Sequence, residues 1–174
     1  MIYKRRDLIP MNCRKNIYFA LIHSRVQYGV EIYLNAAWKT LRSLYVACNR
    51  SLRLLQGLNR FSNVKLLYCQ YNTLPIHLLY KVYLCRLIYK SAIQGEMSAV
   101  TRALFEPYLN NHAYNTRLSE TPYLYTECNK AFFRTCVYDA CLIWNDIPTE
   151  IRNSVTLHTF TNAFKSFLLD DWQS

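Results

Sequence analysis

Apolar residues recur at helical spacing along most of the chain. Between residues 37 and 56, Leu41, Leu44, Tyr45, Cys48, Leu52 and Leu55 form one stripe. Lys39, Arg42, Asn49, Arg50 and Arg53 fall on the other faces, so an amphipathic helix is predicted there. A second helix is predicted over residues 13–28, with Ile17, Leu21 and Tyr28 on one stripe. A third is predicted over residues 75–94. Pro75 suits a first helical turn, and Thr73 just before it is a candidate cap. A shorter helix is expected between residues 62 and 71. Residues 107–122 lose the periodicity, gather asparagines and read as a loop. The pattern returns over residues 131–145 through Phe133, Cys136, Val137, Ala140 and Trp144. A last helix follows, with Thr156 as its cap and Phe160, Phe164, Phe167 and Leu168 as its stripe.

These patterns predict a mainly α fold in two parts. Residues 1–95 form a small helical bundle, and residues 96–174 form a second helical part with irregular loops. Glycine punctuates the scheme. Gly57 and Gly95 each follow a helical pattern, at the place where a helix ends on a residue of positive φ.

Charge divides the chain more sharply than hydrophobicity does. Residues 1–90 carry fifteen Lys and Arg against two acids, Asp7 and Glu31, a balance of +13. The remainder carries six against nine, a balance of −3, and the whole chain stands at +10 with a pI near 9.3. A surface attracting acidic partners therefore belongs to the first half, and the commonest acidic partner in a cell is nucleic acid. The candidate contacts are Arg14, Lys15, Arg25, Lys39, Arg42, Arg50, Arg53, Arg60 and Lys65, on helices that also carry tyrosines. Each phosphate neutralised by such a residue releases counterions, and an aromatic ring can stack on a base.

Other chemistry finds little support in the sequence. Seven cysteines, Cys13, Cys48, Cys69, Cys85, Cys128, Cys136 and Cys141, form no C-x-x-C pair, and their odd number argues against a closed disulfide framework. They read as small apolar packing residues of a reducing compartment, so an intracellular setting, cytoplasm or nucleus, is expected. Residues 1–10 hold a basic cluster with no apolar run after it, so no secretory signal is expected. The longest apolar stretch, residues 76–92, is broken by Lys81, Arg86 and Lys90, so no membrane span is expected. Three scattered glycines cannot cradle a phosphate group, and no zinc-ligand spacing occurs. Asp170 and Asp171 form a pair, but they end an amphipathic stripe with no third carboxylate near them in sequence. No cofactor and no metal are expected.

Several motifs stand in a fixed order. The run Ile17-Tyr18-Phe19-Ala20-Leu21-Ile22-His23-Ser24-Arg25-Val26-Gln27-Tyr28-Gly29 resembles the helix that follows the palm in reverse transcriptases of non-LTR (LINE-type) retrotransposons, most of all the jockey and CR1 type. The segment from Leu41 to Leu55, with its basic stretch Asn49-Arg50-Ser51-Leu52-Arg53, is similar to the family's next helix. Leu74-Pro75-Ile76 with Leu79-Tyr80, the loop His112-Ala113-Tyr114-Asn115-Thr116-Arg117, and Trp144-Asn145-Asp146-Ile147-Pro148 followed by Ile151-Arg152 and Phe164-Lys165 resemble three further family segments.

The resemblance spans about residues 15–170. It marks His112, Asn115, Arg117, Trp144, Asn145 and Pro148 as family-motif positions, and it implies a thumb-like subdomain over residues 1–95 followed by a C-terminal extension. A thumb is a helical pack that grips template and primer behind the active site. The family's catalytic aspartates, in a Tyr/Phe-x-Asp-Asp turn of the palm, have no counterpart here, and neither does its endonuclease. The expected function is a non-catalytic C-terminal fragment of an RNA-directed DNA polymerase. It would bind RNA or an RNA–DNA duplex and pair with the missing fingers and palm. The alternatives are a helical protein-interaction module and a transposon remnant without function.

Overall fold

A computed structural model describes residues 8–33, 36, 38–90 and 136–173 of the chain. The described residues are mostly helical and contain no strand, in keeping with the mainly α reading. They fall into two compact units that part between Leu79 and Tyr80. The boundary expected at residue 95 lies outside the described residues.

The first unit opens with α1 (Met11–Tyr18), which continues through a π-helical turn (Phe19–His23) into α2 (Ser24–Gln27). Tyr18 and His23 keep ordinary helical dihedrals, so the predicted helix runs unbroken through a locally widened turn. Gly29, at φ +66°, then leads into the single turn α3 (Val30–Tyr33), where the Tyr33 N–H donates to Gly29 O at 3.2 Å. The phenol of Tyr33 donates back to the carbonyl of Val26. α4 (Trp38–Gln56) is the long amphipathic helix, and α5 (Lys65–Gln70) is the short one expected after it.

Both α4 and α5 end in the same device. The N–H of Gly57 donates to Leu54 O and that of Leu58 to Arg53 O, at 3.3 and 2.9 Å. Likewise the N–H of Asn72 donates to Cys69 O and that of Thr73 to Tyr68 O, at 2.9 and 3.0 Å. This is the Schellman pattern, which needs positive φ at its pivot. Gly57 has φ +75° and Asn72, a residue that tolerates this region, has φ +50°. Thr73, expected to start the next helix, therefore closes the previous one. The first turn of α6 (Ile76–Tyr89) begins on the carbonyl of Pro75, which accepts from Leu78 and Leu79.

The core of the first unit mixes apolar and phenolic side chains. Cys48, Leu52 and Leu55 of α4 are buried, as the stripe predicted, together with Tyr18, Leu67, Tyr68 and Tyr71. Asn49, placed on a polar face by helical spacing, is buried too. The Tyr68 phenol donates to its Oδ1 at 2.8 Å, which satisfies both groups inside the core. Gln56 Nε2 donates to the Tyr71 phenol at 2.9 Å, and the Tyr71 ring meets Tyr18 edge-on at 5.6 Å.

The second unit packs the part of α6 from Tyr80 onward with α7 (Cys136–Asn145), the single turn α8 (Thr149–Arg152) and α9 (Leu157–Gln173). Its centre is aromatic. Phe160 stacks on Tyr89 at 4.8 Å and on Phe164 at 5.9 Å, and Trp144 lies tilted against it at 5.6 Å. Thr156 caps α9 as expected. Its Oγ1 accepts from the Thr159 N–H, and Thr159 Oγ1 accepts from the Thr156 N–H, both at 3.1 Å. This is a capping box in which threonine replaces the usual Glu or Gln. Cys48, Cys85 and Cys141 are buried free thiols, as packing cysteines should be, while Cys13 is exposed. Burial pushes the Cys48 and Cys85 thiols up, and the Cys141 thiol up to about 11. Among the described residues no helix is long and apolar enough to cross a membrane.

Candidate nucleic-acid interface

The basic residues proposed from sequence divide by what their side chains already hold. Arg14, half-buried on α1, donates from Nε to Ile9 O at 2.8 Å and from Nη1 to Leu55 O at 3.3 Å. It thus bonds one of the carbonyls near the C-terminus of α4, where a cation is favourable. Arg53 donates from Nε to Ser62 O at 2.8 Å and is half-buried. Helical spacing puts Arg53 beside Arg42 on the exposed flank. The turn at Gly57, however, returns the chain alongside α4 and brings Ser62 O within its reach. Lys15 and Lys65 are half-buried, and Arg25 is exposed on α2.

Lys39, Arg42 and Arg50 remain, all exposed on α4. They line a shallow groove together with Ser43, Val46 and Ala47. The helix brings them together because 100° per residue returns positions 39, 42, 46 and 50 to one side. From Lys39 to Arg50 the axial distance is about 16 Å at ~1.5 Å per residue. Ser43 and Ala47 keep the floor low between the cations. The exposed Val46 also lines the groove, so a phosphodiester strand there meets one branched apolar side chain among the cations. The sequence contributes only two acids to the first 90 positions, so little opposes this field.

Arg60 is exposed, and its guanidinium carbon sits 4.7 Å from the centroid of the Phe61 ring. The tyrosines credited with stacking potential behave differently. Tyr18, Tyr68 and Tyr71 are buried, and desolvation holds each phenol above its usual ionisation range. The exposed aromatic rings described in this unit are Phe61 and Tyr28. Phe61 lies in a loop without periodicity, so spacing could not single it out.

The family-motif positions also separate. His112, Asn115 and Arg117 lie outside the described residues. Trp144 is buried, Asn145 is exposed, and Pro148 precedes α8, where its carbonyl accepts from Ile151 and Arg152 at 3.0 and 3.1 Å. Phe164 is buried and Lys165 is half-buried. Desolvation, followed by the nearby Arg86, lowers the Lys165 ammonium below its ordinary value. Asp170 and Asp171 are both exposed, and Asp171 shares a small groove with Asp146 and Lys81. Among the described residues no three His, Cys, Asp or Glu side chains gather as a metal-binding group. No family model matches the chain, and no curated protein and no solved structure is found to be similar to it.

Proposed function

We propose that this chain binds the phosphate backbone of RNA or an RNA–DNA duplex through the exposed basic face of α4, without catalysing polymerisation itself. The observation that carries this reading is the alignment of Lys39, Arg42 and Arg50 along one shallow groove. The charge split between the two halves of the sequence supports it. So does the resemblance of the ordered motifs to the thumb and post-thumb region of a LINE-type reverse transcriptase, in which fingers and palm would supply the chemistry. Backbone contacts of this kind hold a nucleic acid in register but read no sequence.

Titration of a short DNA duplex over a range of salt concentrations tests the reading. Affinity should fall steeply as salt rises, with a log–log slope of ~0.9 for each phosphate neutralised on B-form DNA. The double variant Arg42→Ala/Arg50→Ala should bind all sequences more weakly and reduce that slope by about two. A double variant that keeps both the affinity and the slope of the parent would leave this face merely solvated. Binding to an acidic protein would then be the better account of the charge.

A further inference from the structure

The loop between α4 and α5 displays an aromatic ring that folding does not use. Phe61 is 80 % exposed. Leaving such a ring in water forgoes the stabilisation that its burial would bring. The loop beneath it is nevertheless firmly tied. The Schellman turn at Gly57 opens it, and Arg53 Nε grips Ser62 O at 2.8 Å. The Ser62 N–H donates to Asn59 O at 3.0 Å, and the Phe61 N–H donates to Asn59 Oδ1 at 3.4 Å. On the far side the Lys65 N–H donates to Asn63 Oδ1 at 2.8 Å. The ring is thus presented by a braced hairpin of chain rather than by a loose one.

Its neighbours favour one ligand chemistry. The Arg60 guanidinium lies over the ring at 4.7 Å, which fixes a cation beside a flat π surface. A nucleotide is the ligand that offers both a flat π face and an adjacent anion. The loop also follows directly from the C-terminal end of α4, and from Arg50 to Gln56 the helix advances only about 9 Å. The loop is moreover held against α4 by Arg53 Nε on Ser62 O, so Arg60 and Phe61 belong to the same unit as the α4 cations. In a paired helix the bases are stacked on one another and closed to such a ring, whereas an unpaired base is free to stack on it.

We infer that Phe61 is a stacking platform for an unpaired base, with Arg60 engaging the neighbouring phosphate. Single-stranded nucleic acid, or a single-stranded overhang beside a duplex, is then the ligand class of this tip. The inference rests on the backbone-binding reading given above and adds to it a preference for unpaired nucleotides.

The test uses the full chain and two fluorescently labelled probes of equal phosphate number, an oligothymidylate strand and a blunt duplex. Anisotropy titrations compare the parent with Phe61→Ala, Phe61→Leu and Phe61→Trp, after melting curves confirm that each variant folds. Phe61→Ala should weaken single-strand binding by about tenfold or more, given the known strength of base–aromatic stacking. Its salt slope should not change, because no phosphate contact is lost. Duplex binding should stay within about twofold of the parent on the same argument, and Phe61→Trp should retain single-strand affinity because its ring also stacks. Phe61→Leu should behave like Phe61→Ala. The inference is overturned if Phe61→Ala leaves single-strand affinity unchanged, if it weakens both probes equally, or if Phe61→Leu binds as the parent does. The last result would mean a plain apolar contact, as expected of a protein partner meeting Phe61 with the exposed Leu58 and Leu66. If the parent itself binds neither probe, the backbone-binding reading falls along with this one.

Discussion

Trp144→Ala destabilises the second unit by about 3–5 kcal/mol, the usual cost of removing a buried tryptophan. Trp144 is only 4 % exposed, and its ring lies 5.6 Å from Phe160. Phe160 in turn stacks on Tyr89 and Phe164, so the indole supports one side of a continuous aromatic cluster. Truncation removes a large apolar surface from contact and leaves a cavity beside Phe160. A loss of this size is comparable to the whole stability of many small domains. Denaturant titration followed by circular dichroism should show a midpoint shifted far to low concentration, or a second unit unfolded from the start. An unchanged midpoint would contradict the placement of Trp144 in the core.

Raising the pH above about 10 unfolds the first unit, because its buried phenols cannot ionise in place. In the unfolded chain a tyrosine titrates near pH 10. In the folded chain desolvation raises Tyr18, Tyr68 and Tyr71, with further contributions from neighbouring Cys48 at Tyr18 and from Tyr18 itself at Tyr68. The folded form therefore holds protons that the unfolded form has released. Stability is fully present below pH 10 and falls as pH rises beyond it. Tyr18 and Tyr68 together contribute a slope of up to about 2.7 kcal/mol per pH unit. Far-UV circular dichroism and phenolate absorbance should be followed together up to about pH 12, past the ordinary tyrosine range. Helicity should collapse in the same step in which the buried phenolates appear. A smooth titration of all the tyrosines near pH 10, with helicity intact, would contradict the phenolic core.

Long helices were legible in the sequence because a stripe repeated over several turns carries the 3.6-residue period. Of the α4 and α9 stripes, the core buries Cys48, Leu52, Leu55, Phe160, Phe164 and Leu168, while Leu41, Leu44 and Tyr45 are half-buried and Phe167 is exposed. Thr156 caps α9 as its side chain suggested. The single turns α3 and α8 escaped because one turn has no period to detect. The π-helical turn at Phe19–His23 leaves no compositional mark. Thr73 shows how a correct residue preference can point to the wrong helix end. It follows Asn72 in the left-handed region, and that geometry commits its N–H to Tyr68 O before α6 begins.

At the candidate interface, spacing places Lys39, Arg42 and Arg53 on one flank with Arg50 beyond its edge, whereas the groove joins Arg50 to Lys39 and Arg42 and leaves Arg53 bonded to Ser62 O. Spacing could not set Arg14 and Arg53 apart, because their partners Ile9, Leu55 and Ser62 become neighbours only through the turns of the fold. Asn49 was misplaced for a similar reason. Its buried partner Tyr68 stands nineteen positions away, beyond the reach of any local pattern. Phe61 was missed because the same hydrogen bonds that present it join residues of a loop, where hydrophobicity predicts nothing about exposure.

Chemical footprinting of the lysines tests the central claim most directly. The full chain is treated briefly with an amine-acylating reagent, with and without a saturating nucleic-acid duplex, and the modification of each lysine is read by mass spectrometry. Lys39 stands exposed in the α4 groove, whereas Lys165 stands in the second unit. The duplex should slow the acylation of Lys39 several-fold and leave that of Lys165 unchanged, and added salt should abolish the protection as counterions compete for the phosphates. Equal modification of Lys39 with and without bound duplex, at low salt, would contradict the assignment of this face to nucleic acid.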